Sequence, residues 1–393
     1  MTCRSGTFAV RGVSSARELA AANDLLARTQ LPPYGACRRW LEETGPHWPG
    51  FEREHTRVAY DGDALIGGLR ILTLALRIGV ARLKCGGIGW VSTAPAHRNR
   101  GVCRALMADA HDYMARHGYH VSLLFGVPDL YQRFGYVTAA PTHSILVDAN
   151  TLPSSPKRPR TRRVTPADKA RLYDIFSSNM KDAPFAIERG RAYFDTLFGC
   201  TAQTIPFPPE WRAAAAVLDR RGKIVGYFMP QRGENEWHVK ELGVAAGALC
   251  GAVFDAALAH ARRAGLGRVR FHVPPWHVFA RYLRDHESLH ETHYYRNREG
   301  MLALIDRDRA VVRMAPEWRR QLRAAGIGPG QDASALHMRV PLTNQDCCRL
   351  LAGFTSGEEW LRDNDLRLPE AKRRAFEAMF PRRDPFIWPI DHF

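Results

Sequence analysis

Arg98, Asn99, Arg100 and Gly101 stand directly before a helical run, in a loop from Ala94 to Arg100 that also carries Pro95 and His97. A helix start presents unpaired backbone amides and the positive end of the peptide dipoles, so an anion placed there meets several donors at once. Two guanidinium groups and a carboxamide add donors for the same oxygens, and a glycine lets the backbone come close. The chemistry that fits is the holding of a pyrophosphate. A solvated strand-loop-helix turn fits the same residues, and local physics leaves the two readings level.

The surrounding elements are legible from spacing. Gly87 to Val91 has the length of a buried strand, and apolar residues recur from Val102 at Leu106, Ala110, Tyr113 and Met114, the spacing of a helix that Gly118 ends. Val121 to Phe125 reads as a second buried strand. Upstream, Ser14 to Gln30 carries alanine and leucine at helical spacing, and Val58 to Leu76, broken at Asp61-Gly62-Asp63, reads as a hairpin.

Arg98-Asn99-Arg100-Gly101-Val102-Cys103 resembles the Q/R-x-x-G-x-G/A loop of the GNAT N-acetyltransferases. The longer string PAHRNRGVCRALM, followed by LYQRFGY, is similar to the "enhanced intracellular survival" (Eis) branch of that family, whose members acetylate aminoglycosides or lysine. Cys103 departs from the Gly or Ala of the broad motif. The resemblance implies acetyl-CoA as co-substrate, with no metal, bound by Val91, Ser92, Thr93, Arg98, Asn99, Arg100, Gly101, Val102, Cys103, Arg104, Gly126 and Val127. It implies Tyr131 as the general acid and the α-carboxylate of Phe393 as the base; His97 and His392 are the runner-up bases, because imidazole titrates nearer neutrality. His392 stands where the aminoglycoside enzyme has an acidic residue, which weighs against that acceptor. Trp40, Trp48, Phe51 and the Glu42-Glu43 pair fall on the substrate side of the implied fold, as contacts for the amine or as packing.

The implied fold is α+β: two tandem GNAT-like domains followed by a sterol-carrier-protein-like α/β domain, divided at 1–150, 151–298 and 299–393. A weaker second copy supports the duplication. Leu218 to Gly226 repeats Ala59 to Gly67, and Leu249 to Val273 repeats Val102 to Gly126, so that Cys250 matches Cys103 and Gly265 matches Gly118. Where the first copy has Arg98, Arg100 and Gly101 the second has Ala245, Gly247 and Ala248, without the cations a pyrophosphate needs. Beyond it, Met301 to Val312 predicts a strand and a helix start, Pro316 to Ala325 a helix, Leu336 to Pro341 a short strand and Asn344 to Gly353 a helix.

With 393 residues and 45% hydrophobic content the chain can bury several cores. Eight cysteines without a C-x-x-C pair fit reduced thiols, with Cys347-Cys348 as small apolar filling on a helix. No leader or spanning segment is visible, so a cytoplasmic protein is expected, without membrane contact. The net charge of +16 draws partly on Lys157 to Arg163, inside a Pro/Ser-rich stretch from Leu152 to Pro166 that reads as a linker. No recognition-helix, zinc-finger or stacking signature accompanies it, so nucleic acid is not the expected partner. The expected partner is a small-molecule amine or a lysine side chain, and the resemblance implies a homo-oligomer, a hexamer in its relatives. The final stretch from Phe386 to Phe393 carries five large apolar side chains, too many to leave in water, and is expected to dock. Two readings compete: a protein-lysine or polyamine acetyltransferase, and a non-catalytic nucleic-acid-binding or regulatory protein with a vestigial CoA loop.

Overall fold

The computed structural model describes residues 8–29, 34–152, 159–199, 214–328 and 340–393. In chain order the first half runs β1 (Ala9–Gly12), α1 (Ala16–Thr29), α2 (Tyr34–Arg39), β2 (Thr56–Asp61), β3 (Ala64–Ile78), β4 (Ala81–Thr93), α3 (Val102–Arg116), β5 (Val121–Gly126), β6 (Val137–Ala140) and β7 (Thr142–Asp148). The second runs β8 (Arg160–Arg163), α4 (Lys169–Asn179), β9 (Phe185–Ile187), α5 (Arg191–Gly199), β10 (Ala215–Leu218), β11 (Ile224–Arg232), β12 (Trp237–Val244), α6 (Cys250–Arg263), β13 (Arg268–Phe271), α7 (Val278–Tyr282) and β14 (Leu289–His293). After β15 (Glu299–Leu304) the described residues form α8 (Arg307–Ala324), α9 (Asn344–Ala352), α10 (Gly357–Asp363) and α11 (Glu370–Met379).

Two sheets result. The first is ordered β1-β2-β3-β4-β5-β15-β6, with β9 on the far end of β3, and the second β14-β7-β13-β12-β11-β10-β8. In each, an antiparallel hairpin leads to a strand that crosses over through one helix to a parallel neighbour: β4 to β5 through α3, and β12 to β13 through α6. Gly118 and Gly265 end these helices at φ +72° and +73°, the left-handed conformation that a glycine adopts without a side-chain clash.

The sheets also trade strands. β15 lies between β5 and β6 in the first sheet, while β7 lies between β13 and β14 in the second. Strands thus cross the expected divisions at 150 and 298: β7 leaves the first segment's sheet and β15 enters it. The expected α/β layering of 299–393 is corrected in one respect. Its strand β15 belongs to the first sheet, and among the described residues beyond it there are only helices and turns.

Other expectations need local correction. Arg160 to Arg163, expected in a linker, pairs antiparallel with β10 as the edge strand of the second sheet. Four consecutive polar residues carry no inside-outside alternation, and charged side chains suit a sheet edge because they discourage further pairing. The helix expected from Pro316 begins nine residues earlier and takes Pro316 into its interior. Proline removes one amide donor there, to the carbonyl of Val312, which is 70% exposed and in reach of water. Of the strand expected at Leu336 to Pro341, residues 336–339 lie outside the described residues, and Val340 and Pro341 are not in a strand. The end of the chain docks as expected, with Phe386, Trp388 and Ile390 buried. Cys347 and Cys348 are both buried on α9.

Candidate active site

The arginine turn lies where β4 gives way to α3. Asn99 at φ 61° and Gly101 at φ 89° turn the chain twice, and the helix opens on Gly101 with no side-chain cap, which leaves its first amides facing outward. Arg98, Asn99, Gly101, Val102, Cys103 and Arg104 line one cleft of about 570 Å³. Val91, Ser92 and Thr93 from the end of β4 line the same cleft, and so does Tyr131 in the turn Tyr131–Phe134. Arg133 adds another cation to the wall. Arg100 departs from expectation: it turns to Asp61, with Nη2 3.1 Å from Oδ2, and does not line the cleft. Gly126 and Val127 are outside the lining too, at and beyond the end of β5. Gly126 nonetheless touches Tyr131, since a Cβ built on it would come 3.0 Å from the tyrosine ring.

A second feature is an opening in the sheet. Pairing of β3 with β4 shifts register between Gly68 and Arg70, and Trp90 sits in the irregularity at φ 59°. β4 and β5 are paired only from Cys85 to Gly87 against Val121 to Leu123, after which the strands part. The last residues of the chain occupy the gap. A Cβ at Gly87 would meet the Phe393 ring at 2.5 Å, and one at Gly89 would stand 3.3 Å from the Phe393 carbonyl carbon. Phe125 of β5 stacks on His392 at 3.8 Å between centroids and meets Phe393 edge-on at 5.2 Å.

Tyr131 is 9% exposed, and burial pushes its phenol above the ordinary value of 10.0, with a smaller contribution from Cys103. His392 keeps an exposed edge, yet the protein packed around it and then the charge of Lys240 lower its pKa, leaving the imidazole neutral at pH 7. His97 lines the cleft from the arginine loop, 3.9 Å from Asp61. The structure therefore gathers the loop, Tyr131 and His97 on one cleft and sets Phe393 and His392 together in the β4/β5 gap.

The acetyltransferase (GNAT) domain family matches residues 15–139, the segment that supplies both the cleft and the gap. N-acetyltransferase Eis of Mycobacterium tuberculosis is 36% identical to the chain over 89 residues, 22% of either protein. An uncharacterized N-acetyltransferase of Streptomyces avermitilis is 28% identical over 182 residues, 43% of this chain and 42% of that one. The chain thus matches less than half the length of these relatives. The fold is shared far more widely. A GCN5-related N-acetyltransferase from Anabaena variabilis superposes with a TM-score of 0.69 at 14% identity, over 98% of this chain and 100% of that one. Eis1 from Mycobacterium abscessus does so with a TM-score of 0.60 at 15% identity over the same shares.

Around the gap stand side chains of which the sequence marked only some. Trp40 stacks on Trp90 at 5.1 Å and leans on Trp48 at 6.3 Å, and Trp48 meets Tyr193 of α5 edge-on at 4.9 Å. Phe51 packs over the buried Arg70 guanidinium. Glu42 and Glu43, marked as candidates for an amine, are exposed, and Glu42 pairs with Arg38 at 2.9 Å. Nothing local marks Arg189, Glu241 and Asp391, which meet in the core behind the gap. Arg189 donates from Nε and Nη2 to the two Asp391 oxygens, both at 2.8 Å, and from Nη2 to Glu241 at 2.7 Å. A signal was present in composition only: an acid, Asp391, in an otherwise apolar tail needs a buried partner. Among the described residues no cluster of histidine, cysteine and carboxylate side chains has metal-binding geometry, and no helix is long and apolar enough to cross a membrane.

Proposed function

We propose that the chain is an acetyl-CoA-dependent N-acetyltransferase whose acceptor is a primary amine. One observation carries the reading: the loop residues and Tyr131 line one cleft, and the parting of β4 from β5 beside it is filled by Phe393. The residues suit a CoA thioester, because the uncapped start of α3 with Arg98, Arg104 and Arg133 offers amides and cations to a pyrophosphate. Val91 to Thr93 offer strand backbone to an extended pantetheine arm.

In the proposed reaction the amine nitrogen bonds to the thioester carbonyl carbon and the carbon–sulfur bond breaks. The ammonium proton goes to the Phe393 carboxylate before attack, backbone amides near the end of β4 stabilise the transient oxyanion, Tyr131 gives its proton to the departing sulfur, and the second proton shed by the newly acylated nitrogen restores the tyrosine. A terminal carboxylate titrates near ~3.5 and an alkyl ammonium near ~10.4, so the first transfer is uphill by roughly 9 kcal/mol in water. Desolvation acts favourably on both partners, raising the carboxylate and lowering the amine. The same effect keeps Tyr131 protonated and available as an acid.

The second sheet, with α6, is read as a GNAT-like unit that has no pyrophosphate cradle of its own. Its helix opens after Leu249 at φ −102°, without the glycine turn of the first unit. A singly charged amine suits the acceptor side better than a polycation, since Glu42 and Glu43 face outward and the charge beside His392 is Lys240. Following the resemblance, a homo-oligomer is proposed, its size to be measured by analytical ultracentrifugation. CoA release across a panel of aminoglycosides, polyamines and lysine peptides tests the activity. Turnover that falls steeply at neutral pH in Tyr131→Phe and in a chain extended beyond Phe393, with acetyl-CoA still bound, is the expected result; no turnover and no acetyl-CoA binding in the wild type would sink the reading.

A further inference from the structure

Asp391 lies two residues before Phe393, and its carboxylate is 2% exposed. Its neighbours come from three separate parts of the fold. Arg189 follows β9, which continues the first sheet where β2 leaves off along β3. Glu241 lies on β12, in the middle of the second sheet, and Tyr193 on α5. Arg189 and Glu241 side chains are both fully buried. Tyr193 donates to Asp391 at 3.2 Å and Tyr227 to Glu241 at 2.8 Å. Burial alone would lower the arginine's pKa, but the two carboxylates raise it well above its ordinary value, so the cation is fixed. The guanidinium carbon also lies 4.3 Å from the Phe176 ring centroid.

Such a cluster is expensive as a stabilising device, because apolar residues of the same volume serve a core as well or better. What it provides is geometry. A guanidinium gripping a carboxylate through two parallel hydrogen bonds fixes orientation as well as distance. Two residues further on, the chain enters the gap and is held there by Phe125 and by the bare backbone of Gly87 and Gly89. The clamp also touches the aromatic wall, because Tyr193 carries both the Asp391 hydrogen bond and the edge contact with Trp48. Thr196, on the same helix, donates to the His47 carbonyl at 2.8 Å and ties α5 to that wall a second time.

We propose that Arg189, Glu241 and Asp391 form a positioning clamp that holds the Phe393 carboxylate at the acetyl-transfer site, the clamp being furnished by the part of the chain without a pyrophosphate cradle. The inference rests on the reading of that carboxylate as the base. It gives the second unit a part in the first unit's reaction: it holds the end of the chain.

The test compares Asp391→Asn, Tyr193→Phe and a chain extended by a few residues beyond Phe393, using acetyl-CoA and an amine that the wild type turns over. For Asp391→Asn, kcat is expected to fall at least tenfold with the KM for acetyl-CoA within twofold of wild type. Raising the pH toward the amine's own pKa is expected to restore much of the loss, because solvent then supplies the free amine. The extended chain is expected to show the same alkaline rescue, and Tyr193→Phe a smaller version, with thermal stability unchanged. A merely structural role would lower the amount of folded enzyme without altering the shape of the pH profile. Wild-type kcat and profile in Asp391→Asn, with the extended chain inactive, would overturn the clamp and leave the base reading intact. Full activity in the extended chain would overturn both. If Asp391→Asn does not fold, Tyr193→Phe decides, and a wild-type profile there overturns the clamp.

Discussion

As the proposed general acid, Tyr131 has to stay protonated in water and yet surrender its proton to a thiolate within the catalytic cycle. Its burial serves the first demand and its place on the cleft wall serves the second. Replacing it with phenylalanine removes one oxygen from a buried aromatic cluster, so packing should survive; kcat should drop by roughly 10²- to 10⁴-fold, the usual worth of a general acid. The KM for acetyl-CoA should hold steady in the same steady-state assay. Gly87 supports an equally local prediction. A methyl group there would meet the Phe393 ring at 2.5 Å and Leu74 Cδ1 at 2.9 Å, so Gly87→Ala must displace the Phe393 ring from its seat in the gap. Turnover should fall at least tenfold while acetyl-CoA still raises the melting temperature. Unchanged turnover would mean that the tail need not occupy the gap during the reaction.

At the level of elements, α3 depends on Gly101, which opens the helix at φ 89° with nothing within 4 Å of a built Cβ. Gly101→Ala therefore meets no steric obstacle but forces an L-residue into strained backbone, at a cost of about 1–3 kcal/mol. The expected result is a several-fold rise in the KM for acetyl-CoA with kcat preserved, read from saturation curves. The strand-loop-helix-strand run around Gly101 was legible because its period is local: Val102 to Met114 share one face of a helix, and Gly118 stops it. Tyr131 and the loop came with it, carried by a contiguous string from Arg98 to Tyr136 that folds onto one cleft. The helix through Pro316 was cut short because proline is a weak helix residue, and only the exposure of Val312 explains its tolerance. Arg160 to Arg163 was illegible as a strand because edge strands need no apolar alternation. The exchange of β7 and β15, and the meeting of Arg189 with Asp391 across 202 residues, leave no local period to read. Such contacts are settled by the whole sheet arrangement.

Across the whole molecule, the helical C-terminal layer is pinned to the first sheet through Glu317. Its side chain is fully buried and accepts hydrogen bonds from Arg320, Gln321, Arg383 and the amide of Val80 in the β3–β4 turn. Burial on its own would raise this carboxyl, but Arg320 and the other donors outweigh it and hold the pKa at about 2 against an ordinary 4.5. A depressed carboxylate contributes stability that is complete above its unfolded pKa and disappears as the pH falls toward the folded one. On that sign, Glu317 should contribute on the order of 3 kcal/mol at pH 6, a contribution that declines between pH 4.5 and 2. Urea midpoints measured at pH 6 and pH 3 should differ less in Glu317→Gln than in the wild type. Equal pH sensitivity in the two would remove Glu317 from the account.

The traded strands also set a timetable. Among the described residues β6 bonds only to β15, and beyond its short pairing with β4, β5 does the same, so both keep open edges until residues 299–304 have been synthesised. At about 5–20 residues per second, the ribosome needs roughly 9–35 s to travel from residue 126 to residue 299. Throughout that interval the nascent chain carries a vacant slot lined with unpaired backbone groups, which any passing strand can enter. That exposed interval is thus written into the order of the strands, and a chaperone that shields strand edges would act on it there.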